Sequence, residues 1–412
     1  MSQDFYEKAL QEFPAFASQI VPTTVSQKFV DVLTPNKRKV KMLTNHKVLA
    51  QNRRMLSVQP STTVPIALLN GGQLDFRLES GLVDTLDYCM VQLNITNNSG
   101  GASVLAPAQY LINRIDIFAQ NGSVLIKQIY GHELFLENIY LNRNEFENFA
   151  PSLGLTTAYA SSATSIANTG TAELYIPIWS PFYSARLNLA GLTGQILIRC
   201  LFNSTALTHA SGSLVDATDC KLIARGRDLP VGTANSYVQA YRGPLPVQLN
   251  FMNIQRMSQT LSLVASSTYS IVMSGIRGIC SVLLFTVRPA ALTASNILTM
   301  SAMANYDVQQ SDGSSINGFQ RRNAQQQLLD YGECFDNLLQ KNVNIHCISF
   351  SQDPVGDFSQ ACNSGYQVFT SFEKLSITTP AGLSSASYQI DIVAFVHDAL
   401  TIEKGVMKAT SS

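Results

Sequence analysis

The chain has 412 residues, of which 46% are hydrophobic and only 14% charged, and its 28 basic and 28 acidic side chains cancel. That length suits two domains at roughly 100–200 residues each, and zero net charge excludes a chain that coats nucleic acid through bulk positive potential. A charged share below the ~25% usual for soluble domains leaves Ser, Thr, Asn, Gln and Gly on the surface, as in a protein with extensive protein contacts or simply in a Thr/Ser-rich β protein.

Taken in order, residues 2–17 read as a short amphipathic helix, with Phe5, Ala9, Phe13 and Phe16 at helical spacing and Pro14 as its kink or end. Residues 20–60 read as an extended arm. It carries Lys37, Arg38, Lys39, Lys41, Lys47, Arg53 and Arg54 with His46 and no acid between 37 and 54. From Ser57 onward β patterns dominate. Cys89, Val91, Leu93 and Ile95 alternate with Tyr88, Met90, Gln92 and Asn94, as in a half-buried strand. Further strands are expected over 112–118, 124–130, 173–179 and 195–202. Residues 132–149 read as a helix, and 152–171 and 205–218 as small-residue loops. Arg242-Gly-Pro-Leu-Pro246 marks the best boundary between domains. Beyond it, strands are expected over 260–264, 269–273, 279–287, 298–307, 343–350, 366–377 and 388–397, a helix over 320–341, and a small-residue tail over 400–412. The resulting division is an arm at 1–56 and two β domains at 57–243 and 244–412.

The two β domains share a motif. Asp116-Ile-Phe-Ala-Gln-Asn121-Gly122-Ser123 is answered by Asp307-Val-Gln-Gln-Ser-Asp312-Gly313-Ser314, 191 residues later. Asn-Gly and Asp-Gly suit a two-residue hairpin, because a type I′ turn needs positive φ at both central positions. A helix-like stretch follows each copy. Many short strands joined by turns and long crossing loops predict an all-β chain of sandwiches or jelly rolls.

Little catalytic chemistry is visible. Cys89, Cys200, Cys220, Cys280, Cys334, Cys347 and Cys362 contain no Cys-x-x-Cys pair, which predicts free thiols in a reducing compartment. His346-Cys347 with Cys334 and Cys362 is spaced at 13 and 15 residues, too wide for a typical zinc site. Asp353-Pro-Val-Gly-Asp357 lacks the carboxylate density of a calcium loop. Glu333 and Asp336 read as helix-surface carboxylates, and Arg321-Arg322 as flanking the second helix. There is no phosphate-binding loop and no nucleophile elbow. No secretory leader and no run of ~20 apolar residues is visible. No catalytic residue, metal or cofactor is expected.

Asn113-Arg-Ile-Asp-Ile-Phe-Ala-Gln-Asn-Gly-Ser-Val-Leu-Ile126 through Tyr130-Gly-His-Glu133, Trp179-Ser-Pro-Phe182, Gly194-Gln-Ile-Leu-Ile-Arg-Cys-Leu-Phe-Asn203 and the closing run Ile390–His397 resemble the double jelly-roll major capsid proteins of the tectivirus–adenovirus lineage. The resemblance implies two tandem eight-stranded jelly rolls with short helical insertions and an N-terminal helix and arm. It further implies a non-enzymatic, self-assembling coat protein: a homotrimeric capsomer of pseudo-hexagonal outline that tiles an icosahedral shell, over an internal lipid membrane in many such shells. Expected partners are neighbouring trimers, minor capsid and penton proteins and that membrane, with no sequence-specific nucleic acid. The expected location is the virion, with assembly in the host cytoplasm. Phe5, Phe13, Phe16 and the basic residues Lys37, Arg38, Lys39, Lys41, Lys47, Arg53 and Arg54 are candidates for the interior or membrane-facing surface. A contact with a neighbouring subunit and plain disorder are the alternatives for this arm. A receptor- or carbohydrate-binding β-sandwich is the rival reading for the whole chain. A β-sandwich hydrolase is weaker, for want of a clustered acid pair.

Overall fold

The computed structural model describes residues 41–42, 52–64, 68–98, 100–141, 165–166, 169–182, 187–209, 215–294, 296–316, 344–352 and 365–409. In chain order the first half contributes β1 (Lys41–Met42), β2 (Asn52–Val58), β3 (Gln73–Leu78), β4 (Thr85–Asn97), β5 (Ser103–Val104), β6 (Ile112–Ala119), β7 (Val124–Tyr130), β8 (Ser165–Ile166), β9 (Thr171–Ile178), β10 (Leu187–Asn188), β11 (Ile196–Phe202) and β12 (Val215–Asp228). The second half contributes β13 (Val247–Leu263), β14 (Thr268–Val272), β15 (Arg277–Pro289), β16 (Asn305–Gln309), β17 (Ile345–Ser349), β18 (Gln367–Thr370), β19 (Lys374–Thr378), β20 (Ala386–Glu403) and β21 (Val406–Ala409).

The two halves repeat one topology. In the first, one sheet runs β2–β12–β4, with β9 and β10 pairing β4, and the other runs β3–β11–β6–β7. In the second, one sheet runs β13–β20–β15, with β17 and β18 pairing β15, and the other runs β14–β19–β16. Even the split edge is repeated. β10 pairs Thr85–Leu86 and β9 pairs Cys89–Thr96, just as β18 pairs Arg277–Cys280 and β17 pairs Val282–Thr286. The eighth strand of the second roll, the counterpart of β7, is reduced among the described residues to the bridge Gln309↔Ser315. The chain is a double jelly roll.

Alternation drives each sheet together. On β4, Cys89, Val91, Leu93 and Ile95 are buried while Gln92 and Asn94 are half-buried. They meet Ile196, Ile198, Cys200 and Phe202 of β11, all buried inside the first roll. The second roll encloses a separate cluster around Leu283, Phe285, Tyr306, Phe369 and Ile390. The first cluster does not stop at its own roll. It runs on into Met252, Val282, Leu284, Val393 and Phe395, on the outward face of the second roll. Each fully buried Phe or Leu in these clusters is worth about 1.5–3 kcal/mol of transfer free energy.

Several expectations change. The arm expected over 20–60 is broken at β2, which pairs β12 along its whole length. A strand of alternating Arg53, Met55 and Ser57 against Arg54, Leu56 and Val58 is stabilised by that neighbour rather than by its own pattern. The hairpin β6–β7 forms, but its turn takes Gln120–Ser123 between the pair Ala119↔Val124 instead of two residues. Gln120, Asn121 and Gly122 all have positive φ, at 51°, 59° and 101°, so the Asn-Gly signal marks the place and not the turn type. The loop expected over 205–218 contains the helix Thr205–Thr208 and the start of β12. Within the tail expected over 400–412, residues 400–409 form the hairpin of β20 and β21. The strand expected over 366–377 breaks at Ser371, φ 74°, into β18 and β19. A helix at Val231–Arg242, unforeseen, buries Ala240 and Tyr241 just before the boundary expected at 242–246. The first helical insertion spans Gly131–Leu141. The second, expected over 320–341, lies outside the described residues, as do Glu333, Asp336, Arg321-Arg322 and Asp353–Asp357.

Candidate functional site

The chemistry of this molecule concentrates where the first roll meets the outward face of β13, β15 and β20. β7 delivers Lys127, and the helix Gly131–Leu141 begins at once. An added Cβ at Gly131 would lie 2.2 Å from Ile112 O and 2.5 Å from Gln109 O, so only glycine lets the helix start so close to β6. The helix then presents His132, Glu133 and Glu137, the two acids four residues apart on one face. All three are buried. The second roll answers with Arg256 on β13, Thr286 and Arg288 on β15, and Asp391 on β20.

Asp391, fully buried, accepts from Arg288 Nη2 at 2.6 Å and from Arg256 Nη2 at 3.1 Å. Both guanidiniums lie over aromatic rings of the first roll, Arg256 at 4.8 Å from the Tyr130 centroid and Arg288 at 5.7 Å from that of Tyr110. His132 joins the rolls directly. Its Nδ1 pairs with Tyr110 Oη at 2.6 Å and its Nε2 with Thr286 Oγ1 at 2.8 Å. Lys127 Nζ donates to Asn253 Oδ1 and, at 2.6 Å, to Ile254 O. Asn253 Nδ2 donates to Asp398 Oδ2 at 2.8 Å. Ser180 N donates to Glu137 Oε1 at 3.0 Å, and Ser180 Oγ to Met252 O at 3.1 Å.

Burial sets the protonation of this cluster. It raises Glu137 to about 8 and Glu133 to about 7, with Lys127 pulling both back. It lowers Lys127 to about 8, against the pull of Glu133 and Glu137. It holds His132 well below its ordinary value, so the ring is neutral. Burial also works against the charge of Asp391, but His132, the Arg288 guanidinium and the hydrogen bonds from Arg288 and Gln389 together outweigh it and keep the carboxyl below the usual carboxylate range. Closed in between two rolls, these groups clamp one roll against the other. Each ion is expensive to desolvate, and the cluster holds only while every partner stays in place.

None of the expected site residues that are described belongs to this cluster. Phe5, Phe13, Phe16, Lys37, Arg38, Lys39 and Lys47 lie outside the described residues. Lys41 sits in β1, whose backbone runs parallel to the start of β13. Arg53 and Arg54 sit on β2, and Arg54 Nη1 pairs with Asp228 Oδ2 at 3.1 Å. Cys89, Cys200, Cys220, Cys280 and Cys347 are buried free thiols. His346 is buried and stacked on Phe285 at 4.6 Å. Among the described residues, no group of three His, Cys, Asp or Glu side chains is placed to hold a metal. Trp179 is an anchor: its ring packs tilted against Tyr88, 4.3 Å between centroids, and it donates to Asn138 Oδ1 at 3.0 Å. Sequence reasoning passed over the clamp, although a single acid inside Ile390-Asp-Ile-Val-Ala-Phe395 was its signal.

No protein-family model matches the chain, and no curated protein matches it. Solved structures do. The PBCV-1 virus capsid is similar with a TM-score of 0.65 and 12% identity, covering 88% of this chain and 97% of that one. The Faustovirus major capsid protein is similar with a TM-score of 0.63 and 11% identity, covering 98% and 99%. The Sputnik virophage structure is similar with a TM-score of 0.54 and 13% identity, covering 95% and 92%. These likenesses, over nearly whole chains, are likenesses of fold.

Proposed function

We propose that this chain is a viral major capsid protein with no catalytic role, which self-assembles as a homotrimeric capsomer of pseudo-hexagonal outline and tiles an icosahedral shell. One observation carries this reading: two jelly rolls of matching strand order are locked by a buried charged clamp in one chain. A tile with six near-equal corners can be made from three such chains, provided the angle between the rolls is fixed. The solved structures similar in fold include capsid proteins that span the same two rolls end to end.

The finer features follow from the same reading. The partners are neighbouring trimers and the minor and penton proteins that close a shell. The location is the virion, after assembly in the host cytoplasm. Residues 1–51, with Phe5, Phe13, Phe16 and the basic run from Lys37, supply a segment for an internal membrane, where each basic residue near an anionic surface contributes about 1 kcal/mol.

Light scattering on the purified protein tests the reading. Three chains of 45.0 kDa, 135 kDa together, are expected. A stable monomer of 45.0 kDa overturns it. For the arm, flotation with anionic vesicles compares the full chain with a variant lacking residues 1–51. Equal binding removes the membrane from the partners.

A further inference from the structure

The two rolls differ at the split edge they share. In the first roll the lower strand of that edge is β10, and it is closed over. Leu187 and Asn188 are buried, and Asn188 N donates at 3.3 Å to the hydroxyl of Tyr241, on the helix Val231–Arg242. In the second roll the counterpart is β18. It pairs β15 alone among the described strands, and its surroundings are open. Tyr366 is 55% exposed, Val368 47% and Phe372 67%, and Ile279, directly opposite Val368 on β15, is 37% exposed.

This edge is shaped to be paired. Thr370 N turns away from β15 and donates to Glu373 Oε2 at 2.8 Å. Alternate residues of an antiparallel strand point their backbone groups the same way. Val368 therefore presents its N–H and C=O to the open side, where the Gln367 side chain meets Val368 O at 3.1 Å. The turn that follows is fixed. Glu373 also accepts from Thr370 Oγ1 at 2.7 Å and from Phe372 N at 3.2 Å, and Arg277 Nε donates to Ser371 Oγ at 2.7 Å. Phe372 is thus held out in advance of any contact, which lowers the ordering cost of binding. Exposed edges are ordinarily blunted by charge or proline. Tyr366-Gln-Val-Phe-Thr-Ser-Phe372 has neither. An apolar edge of this kind takes an extended segment as an added strand.

The arm supplies such a segment. Residues 23–32, which lie outside the described residues, follow Pro22 and are rich in strand formers: Thr23, Thr24, Val25, Phe29, Val30 and Val32. The reach also fits. β1 sets Lys41 beside Val247 at the start of β13, and its parallel direction brings the arm in from that end of the sheet. Val247 stands opposite Ile402, and Ile279 opposite His397. Thr370, opposite Arg277, therefore lies about three residues further along the strands, about 10 Å. Across the strands, a new neighbour of β18 lies five spacings from β1, past β13, β20, β15 and β18, about 24 Å. The direct distance is about 26 Å, and the chain from Val32 to Lys41 spans up to about 30 Å. We propose that residues 23–32 add to the free edge of β18 in the same chain, as a strand parallel to it, with their apolar side chains over Val368 and Phe372. The contact lies within one chain and holds whether or not chains form trimers.

Hydrogen exchange read by mass spectrometry tests this on the full chain, for the parent, F29P/V30P, V368K and a variant lacking residues 35–38. The substitutions fall in the arm or at an exposed position, and far-ultraviolet circular dichroism checks that each variant folds. Of two adjacent prolines, one must face β18, where it cannot donate to the ladder. In the parent, residues 23–32 and 366–370 are therefore expected to exchange about tenfold or more slowly than in F29P/V30P. V368K sets a charge into the edge and is expected to release residues 23–32 by a similar factor. Removing residues 35–38 cuts the reach to about 17 Å and is expected to release both segments. Equal exchange of 366–370 in the parent and F29P/V30P overturns the proposal, and any protection of that edge then belongs to residues 353–364, lipid or another protein. Exchange of 23–32 that V368K leaves unchanged overturns it too. Protection that survives the removal of 35–38 assigns the strand to another copy and overturns the placement within one chain.

Discussion

The second roll is built on opposite principles on the two faces of the same strands. On β20, Ile390, Ile392, Ala394 and Val396 turn inward, while Asp391, Val393 and Phe395 turn toward the first roll. On β15, Phe285 and Val287 turn inward, while Thr286 and Arg288 turn outward. The inner face is apolar and non-directional, so it favours compactness without dictating one arrangement. The outer face sets a carboxylate and two guanidiniums against an imidazole and an ammonium of the first roll, in bonds that hold only at one relative position of the two rolls. Burying charge in this way is weak as a source of stability, and its best-attested use is to specify register. A protein that must present two rolls at a fixed angle needs that property more than extra stability.

The largest expected effects set the two faces against each other. Asp391→Ala leaves Arg288 and Arg256 buried without their carboxylate and should cost about 3–5 kcal/mol in urea unfolding. Phe285→Ala, which empties part of the inner core, should cost a similar 3–5 kcal/mol. The two losses differ in how they are repaired. Adding Arg288→Met to Asp391→Ala removes a stranded charge and should return a good part of the loss, whereas adding it to Phe285→Ala should not. If Arg288→Met fails to help Asp391→Ala, the clamp is not an interdependent charged unit.

A subtler difference lies in pH. Glu133 and Glu137 bind protons more tightly folded than unfolded, with values near 7 and 8. Their contribution is therefore fully present below their ordinary unfolded values and is lost as pH rises through 7 to 8. Lys127, lowered to about 8, acts the other way, but only between about 8 and its ordinary value. His132 and His346, both lowered by burial, favour folding above the ordinary histidine range and lose that contribution as pH falls through it. The window from about pH 6.5 to 8 thus belongs to the two acids, and stability should decline across it. Urea midpoints for Glu137→Gln against the parent chain check this: the variant's profile should be flatter there. An unchanged slope would assign the pH dependence elsewhere.

Strand positions and the duplication were legible because they rest on local rules. Period-two alternation located β4 and β11, and the Asn-Gly and Asp-Gly turns located the corresponding point of both rolls. What could not be read was whatever depends on a distant neighbour. β2 is a strand because β12 lies beside it, so Arg53 and Arg54 look like an arm in isolation. Tyr388, Ile390, Ile392, Ala394 and Val396 alternate so regularly that β20 looks one-faced in the sequence. Its other face is buried only because the first roll covers it, which makes Asp391 a clamp instead of a surface acid. The helix Val231–Arg242 buries just Ala240 and Tyr241, too few positions to leave a periodic signal.

The turn Gln120–Ser123 sharpens the comparison between local and distant causes on a smaller scale. Asn121 sits at φ 59° and its Oδ1 accepts from Gln195 N at 2.8 Å, tying the β6–β7 turn to the approach of β11. Asn121→Ala removes both the tolerance for that backbone region and the bond, so about 1 kcal/mol should be lost. Asn121→Gly keeps the backbone freedom and should recover part of it.

The smallest effect is expected at Arg54. Its pair with Asp228 is exposed on both sides, and pairs of this kind contribute about 0–1 kcal/mol. Arg54→Ala should therefore leave the urea midpoint nearly unchanged, and 0.5 M salt should reduce even that difference. The clamp, being enclosed, should respond far less to the same salt, because buried pairs are screened much less than exposed ones. A loss at Arg54 comparable to that at Asp391 would mean that β2 anchors the first roll through its charges, and the contrast between enclosed and open charge drawn here would fail.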